Sequence, residues 1–333
     1  MAIGGNNGLL HIVDLDDYQF SETHNEEIIN YENIHNIHIL DGHSGSVSHL
    51  VWNDNFQKLA SSDCDGLTIV WSMHEEEGMW CQDMVNNQNH SYVTDMKWSN
   101  DGELIGIVYQ NGTVIVGSVE GNKLWGLELD VSLRCVEWSP RTNCIVLVTD
   151  QSLLKVYDKI GNHIRDVESC LSDIRNIHWS PTKDDQNTIL KVAIYDANGQ
   201  MNLVSTIYKA KSQETFVESF VEEGVCRWSP NGNILAVCGR SGNDTETSFK
   251  NLVIKFYDSD GKYLYRHDFS NNESAIGIEW QCSSLRIAIA TESSIHFLHI
   301  RPDNAWTTLN SNSVLVYKSS LVSDTVLQQQ LTI

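Results

Sequence analysis

Six short segments of the chain repeat one arrangement of apolar and polar positions. Each ends in a tryptophan (Trp52, Trp98, Trp138, Trp179, Trp228, Trp280) and carries an apolar residue two places earlier: Leu50, Met96, Val136, Ile177, Cys226, Ile278. The residue between is Val51 in the first segment and polar in the others: Lys97, Glu137, His178, Arg227, Glu279. Alternation with period two predicts a β-strand with one buried face. The tryptophans are 46, 40, 41, 49 and 52 residues apart, close to the roughly 40–45 residues of a four-stranded repeat unit.

A second apolar run follows each of these strands, as in Leu104–Val108, Cys144–Val148, Ile234–Cys238 and Leu285–Ile289. Next come Asp65-Gly66, Asn111-Gly112 and Asn198-Gly199, pairs that suit a tight type I′ hairpin with positive φ at both central residues. A third strand is expected at Thr68–Trp71, Thr113–Val116 and Leu252–Tyr257. Turns at Gly121-Asn122, Gly161-Asn162 and Gly261-Lys262 then lead to an outer strand such as Lys123–Leu127. Pro140, Pro181 and Pro230 each follow a Trp–Ser pair, in turns where no ladder hydrogen bond is lost.

Four strands per unit, closed into a ring, predict an all-β propeller. Residues 2–13 read as the second and third strands of one further unit, with a last strand at Asn36–Leu40. The fold class is therefore a seven-bladed WD-repeat β-propeller with an incomplete first blade, whose inner strand is missing. An unpaired edge beside the channel is expected there, and a chain extended upstream by a strand pair is expected to melt higher and associate less. The domain reading is 1–318 as propeller and 319–333 as a divergent, disordered C-terminal tail. Ser21–Ile34 and Arg240–Phe249 are polar insertions expected to be mobile loops.

Charge narrows the function classes. Asp and Glu number 44 against 22 Lys and Arg, a formal net charge of −22, which argues against phosphate recognition and for basic partners. No apolar run reaches the length of a membrane span, and the start, Met1–Gly5, lacks the features of a signal peptide. Eight cysteines at irregular spacings, without a Cys-x-x-Cys pair, suit buried thiols in a reducing compartment. The cytoplasm is the expected location.

Candidate chemistry is sparse. Gly42-His43, Ser61 or Ser62, Asp65 and Trp71 resemble the hydrogen-bonded tetrad of WD repeats, in which His43, Ser61, Asp65 and Trp71 would pin the inter-blade loop to the hairpin turn. Ser, His and Asp together invite comparison with a hydrolytic triad, but the expected role is structural. Thirteen histidines raise the question of a metal; His35/His38 and His296/His299 are three apart, on opposite faces of a strand, so no metal and no cofactor are expected. Cys226, Cys144 and Cys238 read as small core residues. Sialidase-type propellers carry repeated Asp-boxes and clustered arginines; the nearest match here, Ser61 to Trp71, is mis-spaced and single. The chain is not expected to be an enzyme, and only Arg and carboxylate groups converging in the channel would revive that reading.

Several stretches are more specific: Gly42–Val47, Gly66–Trp71, Val114-Ile115-Val116-Gly117-Ser118-Val119, Lys123–Gly126, Phe256-Tyr257, Leu285–Ala290, Ile300-Arg301-Pro302 and Trp306. From about Ile3 to Tyr317 they resemble the first propeller of the WD repeat-containing protein 35 family, subunits of intraflagellar transport complex A. The resemblance implies a scaffold in retrograde ciliary transport, ciliary membrane-protein entry and cilium assembly. Its partners would be the other complex A subunits and ciliary membrane cargo, at the ciliary base and axoneme. That family continues into a second propeller and a helical tail, so the chain is expected to be a fragment. Tubby-like proteins with WD repeats, adaptors of ubiquitin ligases, share the Val-Gly-Ser-Val segment; Leu-Arg-Ile-Ala and Ile-Arg-Pro fit the transport subunit better.

Overall fold

The computed structural model describes residues 2–13, 37–74, 78–86, 91–142, 144–181, 191–205, 213–242, 251–269, 273–281, 283–291, 294–300, 314–320 and 331–332; for 213, 299, 314–320 and 331–332 it describes the backbone alone. Every element among these is a β-strand, and they form seven four-stranded antiparallel sheets. The Trp-bearing segments are the inner strands of blades 2 to 7: Val47–Asn53, Val93–Trp98, Leu133–Trp138, Ile174–Trp179, Val221–Trp228 and Ala275–Trp280. Each touches the inner strand of the next blade, and residues 331–332 close the ring between blades 7 and 2. Among the described residues no helix is long and apolar enough to cross a membrane.

The first blade is complete, which corrects the expectation of a missing inner strand. Leu331–Thr332 lies innermost, with Ala2 opposite Thr332 and Ile3 opposite Leu331. Ala2 and Ile3, which would have stood at an open edge, are paired by the far end of the chain, so the predicted effect of an upstream extension loses its basis. The domain reading changes with it. Residue 318 falls inside the outer strand of blade 7, Val314–Ser320, and the segment expected to be a disordered tail supplies a strand of blade 1. Insertion 21–34 lies outside the described residues, as do 243–249 of the second one; Arg240 and Ser241 end a strand rather than open a loop.

Apolar layers lie between neighbouring blades. One such layer joins Val146, Val148 and Val156 of blade 4 to Ile177, Val192 and Ile194 of blade 5. The hairpins differ from the expected type I′. Gly66, Gly112 and Gly199 have φ of 86, 87 and 79°, whereas the residues before them are not in the left-handed region. Each glycine N–H bonds the carbonyl three residues back, a type I turn closed by a left-handed glycine. An aspartate sets the geometry. Asp63 Oδ1 accepts the N–H groups of Asp65 (3.0 Å) and Leu67 (2.9 Å). Asp196, Asp158 and Asp258 do the same in Asp-x-x-Gly turns of blades 5, 4 and 6.

Candidate functional site

The loop before the inner strand of blade 2 is tied to its hairpin by a buried chain of side chains. His43 Nδ1 lies 3.2 Å from Asp63 Oδ2 and Nε2 lies 2.6 Å from Ser61 Oγ, while the Trp71 indole N–H donates to that Oγ at 2.8 Å. All four side chains are buried. With Nδ1–H donating to the carboxylate, Nε2 accepts the Ser61 hydroxyl proton, an assignment of the neutral tautomer from the network. Burial first of all lowers the His43 pKa, against the opposing pull of Asp63, and keeps the ring neutral.

The structure brings His43, Ser61 and Trp71 together but substitutes Asp63 for the expected Asp65. Asp65 is exposed in the turn. The period of two explains the difference: Ser61 and Asp63 share a face of one strand, and Asp65 lies past its end. Ser61-x-Asp63 was the available signal, masked by the Asp-Gly pair that follows it. Asp63 thus serves twice, one carboxylate oxygen holding the turn and the other holding the loop. The Ser61 oxygen is fully buried and already bonded, so it is placed as a brace rather than as a nucleophile.

The repeat tryptophans act between blades. Trp98 Nε1–H donates to Val51 O (3.2 Å), Trp138 to Lys97 O (3.0 Å) and Trp280 to Arg227 O (3.3 Å). In each case the acceptor is the residue just before the tryptophan of the preceding blade. Trp179 and Trp228 are equally buried, and Trp52 packs edge-on against Trp80 at 5.8 Å. The apolar partners two places earlier, Leu50, Met96, Val136, Ile177, Cys226 and Ile278, are all buried.

The residue between, on the opposite face of the strand, lines a central cavity of about 510 Å³. Val51, Lys97, Glu137, His178, Arg227 and Glu279 all sit on its wall, a ring whose members stand in the sequence at the position between the buried apolar residue and the tryptophan of each repeat. A bulge near the start of the inner strands turns Thr94, Arg134, Arg175 and Ile276 to the same cavity. Burial is the main cause that raises Glu137, to about 7, while Lys97 and Arg227 oppose it. Burial likewise drives His178 well below its usual value, helped by Arg227 and Lys97.

Arginines and carboxylates therefore do meet in the channel, the arrangement that would have favoured a hydrolase. They are spent on one another. Arg134 and Arg175 both bind Asp173 (3.0 and 2.8 Å), and Arg227 faces Glu279 at 3.4 Å.

Among the described residues no three His, Cys, Asp or Glu side chains are grouped to hold a metal ion. His296 is buried and bonds Ser294 Oγ at 3.0 Å; His35 and the His299 side chain lie outside the described residues, as do Arg301, Pro302 and Trp306. Cys135, Cys144, Cys226 and Cys238 are buried thiols, Cys226 being pushed up to about 12 by its burial, while Cys64 and Cys170 are exposed. Cys282 is outside the described set.

Comparison with known proteins agrees with this architecture. A family profile described as WDR35/TULP4 N-terminal matches residues 1–301. WD repeat-containing protein 35 of Rattus norvegicus is 31% identical over 327 residues, covering 95% of this chain and 27% of the relative; its Homo sapiens counterpart gives the same figures. Tubby-related protein 4 of Mus musculus is 26% identical over 298 residues, 78% of this chain and 19% of the relative. The chain thus spans about a quarter of the length of the curated relatives it matches best among these. With seven blades, six of them marked by a tryptophan, a loop-to-hairpin tetrad and a profile match over most of its length, the chain belongs to the WDR35/TULP4 N-terminal family of WD-repeat propellers.

Proposed function

We propose that the chain is a non-catalytic protein-interaction scaffold of an intraflagellar transport complex A, working in retrograde ciliary transport, ciliary membrane-protein entry and cilium assembly. The observation that carries the scaffold reading is the ring itself. Inner strands in unbroken contact, braced by tryptophan N–H groups and aspartate-locked turns, hold the described hairpin turns in place before any partner arrives. Loops already ordered lose little entropy on docking. The likeness to WD repeat-containing protein 35 over 95% of the chain supports the transport assignment, and with it partners among complex A subunits and membrane cargo, and residence in the cytoplasm, ciliary base and axoneme.

The likeness to Tubby-related protein 4, within the same family profile, supports a second reading as a substrate adaptor of a ubiquitin ligase. Affinity purification of the tagged full-length protein from ciliated cells, with partner identification and imaging, separates the two. Recovery of transport-complex subunits and a signal at the ciliary base are expected. Recovery of ubiquitin-ligase subunits without them would overturn the transport reading.

A further inference from the structure

One face of the ring carries the hairpins at Gly66, Gly112 and Gly199 together with the crossings from each outer strand to the next blade. On it the outer strands of blades 3, 4, 5 and 6 end at Glu128, Glu168, Glu218 and Asp268, all exposed. Asp41, Asp65, Asp130 and Asp150 add exposed carboxylates from the connections. The arginines described there are taken: Arg134 and Arg175 by Asp173, Arg240 by Glu223 and Arg266 by Asp268. Glu128, Asp130, Asp150, Glu168 and Glu218 make no ion pair among the described residues. The face is a source of negative potential, but charge alone would attract any cation.

A second feature gives that potential a destination. Between blades 4 and 5 is a small cavity of about 40 Å³ walled by Leu154, Val167, Ile194 and Val204, with Arg165, Glu168, Cys170, Asn202 and Glu214 supplying its polar atoms. Asn202 is only 2% exposed. Its Nδ2 donates to Glu214 Oε2 at 3.1 Å, while its buried Oδ1 has no partner. An acceptor held in an apolar pocket without a donor is unfavourable. Glu168 and Glu214 are exposed and so stand at the mouth, where their two charges outweigh the single Arg165. The walls suit methylene groups, and the floor and mouth suit a compact cation with several N–H donors.

We propose that this inter-blade pocket receives a lysine side chain from a basic segment of a partner protein, its stem against Val167 and Val204 and its ammonium donating to Asn202 Oδ1 and Glu214. This rests on the scaffold reading above and adds to it a face and a partner chemistry. A planar guanidinium is larger and fits a cavity of this size poorly, so lysine is preferred over arginine.

The test is fluorescence anisotropy of the 333-residue chain with a labelled octapeptide carrying four lysines, alongside its arginine-substituted and glutamate-substituted versions. The lysine peptide is expected to bind at least threefold more tightly than the arginine one, the glutamate one not at all. Glu214→Gln, at an exposed position that leaves the fold intact, and Asn202→Leu are each expected to weaken the lysine peptide at least fivefold. Glu128→Gln on the same face but away from the pocket should change it less than twofold. Equal losses for pocket and distant variants, or equal affinity for lysine and arginine, would overturn the pocket while leaving the scaffold assignment standing. Failure to recover any complex subunit from cells, with the peptide selectivity intact, would count against the transport assignment instead.

Discussion

Replacing Asp63 with alanine should unfold the protein far more readily than replacing Asp65, although both are aspartates of one hairpin. Asp63 is fully buried and accepts three hydrogen bonds, from two turn N–H groups and from the His43 ring. Hydrogen bonds to a charged acceptor are worth about 1.5–3 kcal/mol each. Part of this is recovered because the turn amides regain water and the buried charge is gone. A net loss of about 3–5 kcal/mol is expected for Asp63→Ala. Asp63→Asn keeps an acceptor oxygen for the turn, and His43 can answer by changing tautomer, accepting at Nδ1 and donating from Nε2 to Ser61. The loss should then be nearer 1–2 kcal/mol. Asp65→Ala, in solvent, should cost about 0.5 kcal/mol or less. Urea unfolding followed by tryptophan fluorescence measures all three. Equal midpoints for Asp63→Ala and Asp65→Ala, or Asp63→Asn as damaging as Asp63→Ala, would refute the network as drawn.

Trp138→Phe removes the N–H that reaches Lys97 O at 3.0 Å and should cost about 1–2 kcal/mol, whereas Trp138→Ala, which also empties a buried site, should cost about 3–5 kcal/mol; denaturant midpoints tell them apart. Glu137 is raised in the fold to about 7 from 4.5, so its favourable proton uptake is complete below about pH 4.5 and fades as pH rises through 7. Glu137→Gln is therefore expected to stabilise by about 1–2 kcal/mol at pH 8 and to have little effect at pH 5, and a shift of the same size at both values would contradict this. Gly161 has φ of 92° and a Cβ there would stand 2.9 Å from the Trp125 ring, which donates to Lys159 O at 2.9 Å. Gly161→Ala should accordingly lower stability by about 1–3 kcal/mol with a change in tryptophan fluorescence.

What the chain determines by itself is the repeat. Period-two alternation, the apolar-polar-Trp segments and the turn glycines specify strands and their order, because those signals live within a few residues of one another. They sufficed for the number of blades and for the burial of Leu50, Met96, Val136, Ile177, Cys226 and Ile278. Closure of the ring was decided only in three dimensions. Leu331–Thr332 completes a blade begun by Ala2–Gly4, and a two-residue strand at the far end of a chain has no local pattern to announce its partner. The same holds for Asp63 in place of Asp65, which depends on where His43 arrives from the preceding loop, and for the ion pairs Arg134–Asp173 and Arg227–Glu279, whose members are far apart in the sequence. Strand propensity is local, whereas the pairing of buried polar groups is settled by which side chains the closed ring brings within hydrogen-bond reach.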